Sequence, residues 1–430
     1  MPERGRMMPE TLRTARPVGL GHHLPTVLGI SSQLVNAGTN VATVYLASLF
    51  LAPDAFGTFA VGFAGVTVVL ACARGLIGSS LLVHLPAVEP HRRAPLARSA
   101  LGLAWWGTLP AVAALLVLAA VIDGTLVWLL PGVVFSLVQD VGRSTFLAGG
   151  RPGAALTLDS VWAVVQGATL VLGHWALGQV SAGPVGLPLL ALSWGAGALA
   201  GVLALLCLAG VDGLPSPPGP WMRASGDIAG WFTAVAVVAQ VELFLVLATV
   251  GLVLGPADAG GLRAVQLLVS QPATVVLGAM LVLATPTVAT AAQGPGGTSL
   301  RTVHRQVVRQ VAPVVVGVAV VAALAGPLMQ LLFPRWSGYA PLALPVALQT
   351  GLLAWCMPAM ALLNGTRRGR VSLALHLCRS TVVVAGTALG GVLGGAAGAA
   401  WALAVVAAVV LLGTAAVVRR ELRRTPGGAR

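Results

Sequence analysis

LAPDAFGTF at residues 51–59 and LGPADAGGL at residues 254–262 read as one turn written twice. Leu51 and Leu254, Pro53 and Pro256, and Gly57 and Gly260 stay in register at an offset of 203 residues, and each turn lies between two apolar runs. A second pair follows in the same order. LAGGRPG from Leu147 matches LNGTRRG from Leu363 at Leu, Gly, Arg and Gly, with an offset of 216. Two recurrences in one order divide the chain into two related halves.

Working outward from these turns, apolar windows of about 20 residues, the length that crosses a hydrocarbon core, predict six spans per half. They fall at 26–50, 57–83, 96–122, 125–148, 153–178 and 185–210, then at 229–254, 261–287, 307–333, 338–363, 371–391 and 397–418. Asp123-Gly124 must turn spans three and four, and GGVLGG from Gly390 must turn spans eleven and twelve. Because six is even, both halves enter the membrane from the same side, which makes the repeat parallel. The expected organisation is a basic N-terminus at 1–25, an N-lobe at 26–210, a linker at 211–228 rich in Pro and Gly, a C-lobe at 229–418 and a basic C-terminus at 419–430.

Composition agrees. Of 430 residues, 57% are hydrophobic and 9% charged, and the mean hydropathy is +0.91, so a water-soluble domain of this size would lack polar residues to coat itself. The net charge of +13 comes without a single lysine, and the 25 arginines cluster between apolar runs. That is a topology signal rather than a nucleic-acid patch. With the N-terminus inside, 21 arginines fall on the cytoplasmic side and two, Arg263 and Arg335, outside; Arg74 and Arg379 lie within spans. The first 23 residues have no apolar core, so the first span is expected to be retained rather than cleaved. Cys72, Cys207, Cys356 and Cys378 lie in apolar segments without metal-ligand spacing.

The turn LAPDAFGTFAV, its echo LGPADAGGLRAV, the stretch LFPRWSGYAPLALPVA from Leu332 and the basic turn LNGTRRGR resemble the polysaccharide-exporting branch of the multidrug, oligosaccharidyl-lipid and polysaccharide flippase superfamily, over essentially the whole chain. The chain is two spans shorter than the lipid II flippases of that group. The resemblance implies two six-helix bundles forming a V around a central cavity lined by spans one, two, seven and eight. It also implies alternating access, with a polyprenyl-pyrophosphate-linked oligosaccharide as cargo, glycosyltransferases and a polymerase of the same pathway as partners, a bacterial cytoplasmic membrane, and both termini in the cytoplasm. H⁺ or Na⁺ is the expected coupling ion, and no cofactor is expected.

Ionisable groups deep in a span should face protein or water, because hydrocarbon penalises them. Glu242 in span seven is the candidate for ion coupling, or else a fixed partner of Arg74 or Arg379. Arg74 suits a phosphate, and Arg379 admits the same reading; two arginines are few for a pyrophosphate. Span one is unusually polar: Ser32, Asn36, Asn40 and Thr43 repeat at helical spacing with Gln33 beside them. Amides suit sugar hydroxyls because they both donate and accept, and they also glue helices together. Gln33, Asn36, Asn40, Gln240 and Gln266 are therefore candidate substrate contacts; Gln266 and Gln271, both in span eight, read equally as hydrogen-bonding a neighbouring helix. Asp140 and Arg143 read as a local helix pair. Asp159 and His376 read as a buried pair or a proton relay. Trp105, Trp106, Trp128, Trp175, Trp231 and Trp336 read as interface anchors.

Two rival functions stand beside the flippase. A cation-coupled multidrug exporter fits Glu242 equally well. A membrane-embedded glycan polymerase or ligase needs a large external catalytic loop, and the external loops here are short, so the chain is expected not to be an enzyme.

Overall fold

The computed structural model describes residues 24–178, 186–293, 300–366 and 368–424. Arg4, Arg6, Arg13 and Arg16 of the basic N-terminus, Arg367 of the second basic turn and Arg430 lie outside the described residues.

The first half begins with α1 (Leu24–Phe50), then α2 (Pro53–Ala73), which continues through a π-turn at Arg74–Ser79 into α3 (Ser80–Ala87). After these come α4 (Pro90–Val121), α5 (Leu130–Ala148), α6 (Pro152–Gly178) and α7 (Leu187–Ala209). The second half holds α8 (Gly219–Leu254), α9 (Pro256–Gln293), α10 (Leu300–Ala323) with α11 (Ala325–Leu332), α12 (Ala343–Ala354) with α13 (Met357–Gly365), and α14 (Gly369–Arg424). α14 breaks at Gly394 and Gly395, the latter at φ +60°, a left-handed value that glycine adopts without steric cost. Gly390 and Gly398 face each other across that break so closely that a Cβ on either would enter the other's carbonyl. α14 is therefore a hairpin of two crossings, as GGVLGG predicts. The chain is an all-helical bundle of twelve crossings in two six-helix repeats, and nine segments among the described residues are long and apolar enough to span a bilayer by themselves.

The turns follow their sequence chemistry. Proline opens α2, α4, α6 and α9, where its missing N–H costs nothing. Asp123 accepts from the Thr125 N–H at 2.7 Å; hydrogen bonds from Thr125, its side chain first and then its backbone, hold the Asp123 carboxyl below the usual carboxylate range. At the basic turns Arg151 N–H donates to Phe146 O and Arg368 N–H to Leu363 O, both at 2.8 Å. These equivalent bonds lie 217 residues apart, so the structure shifts the sequence register of 216 by one. The stretch 211–228 is less of a linker than its composition suggests, because α8 begins at Gly219. Before that helix, Ser216 N–H donates to Arg98 O at 3.0 Å and Ser99 Oγ donates to Pro217 O at 2.8 Å, strapping the crossover onto α4.

The two copies of the opening motif meet across the middle of the molecule. Gly57 lies directly under the Pro256 carbonyl, and Gly260 is packed by Phe56 and Trp336. Over this contact lies the 334–342 segment: Trp336 Nε1 donates to Ser48 O at 3.1 Å, Arg335 to Leu51 O at 3.3 Å, and Tyr339 Oη to Asp258 at 2.9 Å. Trp336 is 2% exposed, so it is the core of this closure and not the interface anchor its position suggests. Trp106, Trp128, Trp175 and Trp231 are exposed at helix surfaces as expected of anchors.

Candidate functional site

Below the closed end, a cavity of about 660 Å³ lies between the halves, walled by α1, α2, α5, α8, α9, α12, α13 and α14. α1 contributes Gln33, Asn36, Asn40 and Val44, at the spacing of one helical face. α2 contributes Phe63, Thr67, Leu70 and Arg74 on the same logic, and α9 contributes Arg263, Gln266, Ser270, Gln271 and Thr274. Gln240 of α8 and Arg379 of α14 complete the wall opposite. Gln33, Asn36, Asn40, Arg74, Gln240, Gln266 and Arg379 are thus brought to one space from five helices.

Glu242 is not in that wall. Its two oxygens accept from Arg379 Nη2 at 2.8 Å and Nε at 2.9 Å, and from Ser380 Oγ at 2.8 Å. The fixed interhelical pair, one of its two sequence readings, is the arrangement seen. The pair ties α8 to α14, and the guanidinium borders the cavity while the carboxylate stands behind it.

The polar stripe of α1 splits between its two readings. Ser32 and Thr43 turn toward α6: Ser32 Oγ donates to Asp159 Oδ2 at 2.5 Å, and Gln166 Nε2 donates to Thr43 Oγ1 at 2.6 Å. Asn36 faces the cavity, and its side-chain amide nitrogen is buried without a partner, as is the amide oxygen of Gln266. Such atoms lose hydration and gain nothing in return. Across the cavity Thr67 Oγ1 donates to Gln240 Oε1 at 3.2 Å.

Arg74, without a neighbouring acid in sequence, has one in space: its Nε lies 2.6 Å from Asp140 Oδ2. Asp140 also accepts from Arg143 Nη2 at 2.8 Å, and Arg143 Nε lies 3.9 Å from Asp159. Gln139 Nε2 donates to the same Asp159 at 3.0 Å. A line of alternating charge therefore runs from the cavity wall at Arg74 into the first half, ending at Ser32. Asp159 and His376, read in sequence as a pair, are apart: Asp159 is sealed among α1, α5 and α6, and His376 lines the cavity from α14. Their spans are related by the repeat, so they occupy equivalent places in opposite halves rather than neighbouring ones.

Two wall residues were assigned by the arginine count to the membrane's two sides, Arg143 to the cytoplasmic and Arg263 to the external. Arg143 is buried in α5. Arg263 lies seven residues into α9, about 10 Å along the helix at 1.5 Å per residue, and borders the cavity rather than the outer surface. The signal was present: Pro256 after Gly255 marks a helix start, five residues before the apolar window opens, and that start carries Arg263 inside. No ion pair or hydrogen bond engages Arg263 among the described residues. Nor do the described residues include a group of His, Cys, Asp and Glu fit for a metal ion.

No family model matches the sequence, and neither does any curated protein. Solved structures do. An inward-facing multidrug resistance MATE family transporter of the MOP superfamily aligns over 93% of this chain and 96% of its own at 12% identity, with TM-score 0.72. An outward-facing structure described in the same terms aligns over 94% and 98% at 14% identity, with TM-score 0.67. A MOP superfamily transporter from Pyrococcus furiosus, described as having a binding pocket of reverse polarity that suggests a different function, aligns over 93% and 94% at 13% identity, with TM-score 0.64. The chain has the twelve-helix, two-repeat fold of these transporters.

Proposed function

We propose that the protein is an alternating-access transporter whose cargo is an anionic amphiphile, a saccharide joined through phosphate or pyrophosphate to a polyprenyl lipid. One observation carries this reading: among the described residues, four arginines and a histidine border the cavity and no Asp or Glu does. Arg74, Arg143, Arg263, Arg379 and His376 face it, while Asp140, Asp159 and Glu242 stand behind as partners. Counting those carboxylates, the four arginines leave one positive charge in excess, and Arg263 is the one without a counter-ion. Guanidinium forks match phosphate oxygens, the amides of Gln33, Asn36, Asn40, Gln240 and Gln266 match sugar hydroxyls, and Leu277, Leu281 and Met360 offer apolar surface to a lipid chain. The 26–210 and 229–418 lobes would rock about the Gly57–Pro256 contact. Entry of H⁺ to Glu242 would free Arg379 to bind or release cargo, which is how this reading couples an ion gradient; Na⁺ in place of H⁺ would act on the same carboxylate. A bacterial cytoplasmic membrane with both termini inside, and glycosyltransferases and a polymerase as neighbours, complete the proposal.

The structural neighbours favour a second reading more directly than the first, since they are described as multidrug transporters: cation-coupled drug export. Against it, an organic cation would meet a wall of guanidiniums with no carboxylate facing it, and the Pyrococcus transporter, described as having a pocket of reverse polarity and a different function, separates the two within this fold. Reconstitution decides. In proteoliposomes the wild type is expected to translocate a labelled polyprenyl-phosphate saccharide, and Arg263→Gln to lower that rate about tenfold or more, the loss of one charge-assisted contact. Ethidium efflux by the wild type without glycolipid translocation would establish the drug exporter instead.

A further inference from the structure

The outward surface of α10 carries a basic stripe. Arg301, Arg305 and Arg309 are all exposed, and they stand four residues apart, so each is turned only about 40° from the last. They cover about 12 Å of the helix. On the opposite side Leu300, Val303, Val307 and Val311 are buried against the bundle. The arginine face does not end at a loop. It continues along the same line into Val316, Val320 and Leu324, exposed by 62%, 51% and 49%, and large apolar side chains on an outward helix face within a span face lipid tails. The three guanidiniums thus share one outward face with side chains apolar enough for lipid tails.

Among the described residues nothing neutralises them. α10 packs on α9, α11, α12 and α13; α11, α12 and α13 contain no Asp or Glu, and the one acid of α9, Asp258, is in its first turn at the far end. None of the three arginines makes an ion pair among the described residues. Loop arginines serve topology wherever they point, but these occupy one face of a helix, and that face is fixed by the buried valines behind it. We propose that this face of α10 binds an anionic phospholipid, its phosphate held between Arg305 and Arg309 and its acyl chains lying along Val316 and Val320. Arg309, the deepest of the three, is long enough to reach back toward the phosphate along its own stem. The site is independent of the cavity and of any choice of cargo.

The test is lipid retention by the purified full-length protein, read by native mass spectrometry after exchange into detergent with phosphatidylglycerol or phosphatidylcholine added. The wild type is expected to retain phosphatidylglycerol over phosphatidylcholine, and to lose that preference as salt rises and screens the charges. Each basic residue near an anionic surface is worth roughly a fivefold change in binding, so the triple variant Arg301→Gln, Arg305→Gln, Arg309→Gln should bind phosphatidylglycerol about a hundredfold more weakly. Arg92→Gln with Arg93→Gln, a basic pair on α4 in the other half, should leave it unchanged. Equal retention of both lipids by the wild type, or displacement of the lipid by millimolar inorganic phosphate, overturns the proposal. If the triple variant is not recovered folded, the salt dependence and headgroup preference of the wild type decide the matter without it.

Discussion

Asp140 carries two guanidiniums at once, and its replacement by asparagine shows what that arrangement is worth. The carboxylate is 4% exposed, and Arg143 beside it is 5% exposed. Asp140→Asn keeps the shape and removes the charge, leaving Arg143 buried with only Asp159 at 3.9 Å. Two Arg143 nitrogens, Nε and Nη1, already lack a hydrogen-bond partner, so the side chain has little in reserve. Breaking a buried pair from one side costs about 3 to 5 kcal/mol. Asparagine keeps a neutral acceptor in place, so the lower end applies: about 3 kcal/mol, or roughly a hundredfold in the folded-to-unfolded ratio. Arg74→Gln is the control. Its side chain is 41% exposed, solvent screens its charge, and Asp140 retains Arg143, so the loss should be about 1 kcal/mol or less. Unfolding of the purified protein in detergent, followed by tryptophan fluorescence, reports both, because Trp162 and Trp194 are fully buried in the first half. Asp140→Asn should unfold several degrees earlier and Arg74→Gln within about a degree of the wild type. An Asp140→Asn protein as stable as the wild type, or two variants equally impaired, would refute the claim that Arg143 depends on this carboxylate.

Two further outcomes follow from the closure and from the second ion pair. Gly57→Val places a branched side chain where the Pro256 carbonyl stands, so the end closed by the two motifs should not seal; a cysteine substituted for Val44 in the cavity should become open to a membrane-impermeant thiol reagent from the motif side, and unchanged protection would contradict the packing described here. Glu242→Gln replaces both charge-assisted bonds to Arg379, each worth about 1.5 to 3 kcal/mol; transport should fall at least tenfold and lose its dependence on an ion gradient, and full gradient-driven transport in this variant would remove Glu242 from the coupling scheme.

How far the site was legible depends on what held each residue in place. Gln33, Asn36 and Asn40 were legible because one helix sets their spacing, and three polar residues on one face of an apolar span have to look at something other than lipid. Glu242 was legible as important, but not its partner: Arg379 is 137 residues away, and nothing local distinguishes it from Arg74. The Asp140–Arg143 helix pair was legible because both residues share one helix three apart, and it forms at 2.8 Å; what was not legible is the burial of Arg143 beside Asp159, 3.9 Å away on another helix. Arg263 was misread by a boundary error of five residues, since apolar windows respond to Leu and Val and the helix starts earlier, at Pro256. Trp336 near a span end looked like an anchor, because tryptophan at an interface and tryptophan in a closed gate have the same neighbours in sequence.

Periodicity, turn chemistry and the repeated motif are properties of short stretches, and in a bilayer they are nearly sufficient: each backbone must satisfy its own hydrogen bonds inside a helix, so the number of crossings and their pairing into halves follow from where apolar runs begin and stop. The charges obey a different rule. A guanidinium buried in a low-dielectric interior takes whichever carboxylate the packing of distant helices brings within reach, and the cavity exists only where two bundles fail to touch. Which arginines line it, which are neutralised behind it, and which end is shut were decided by contacts between segments more than a hundred residues apart, where the spacing of residues along the chain carries no information.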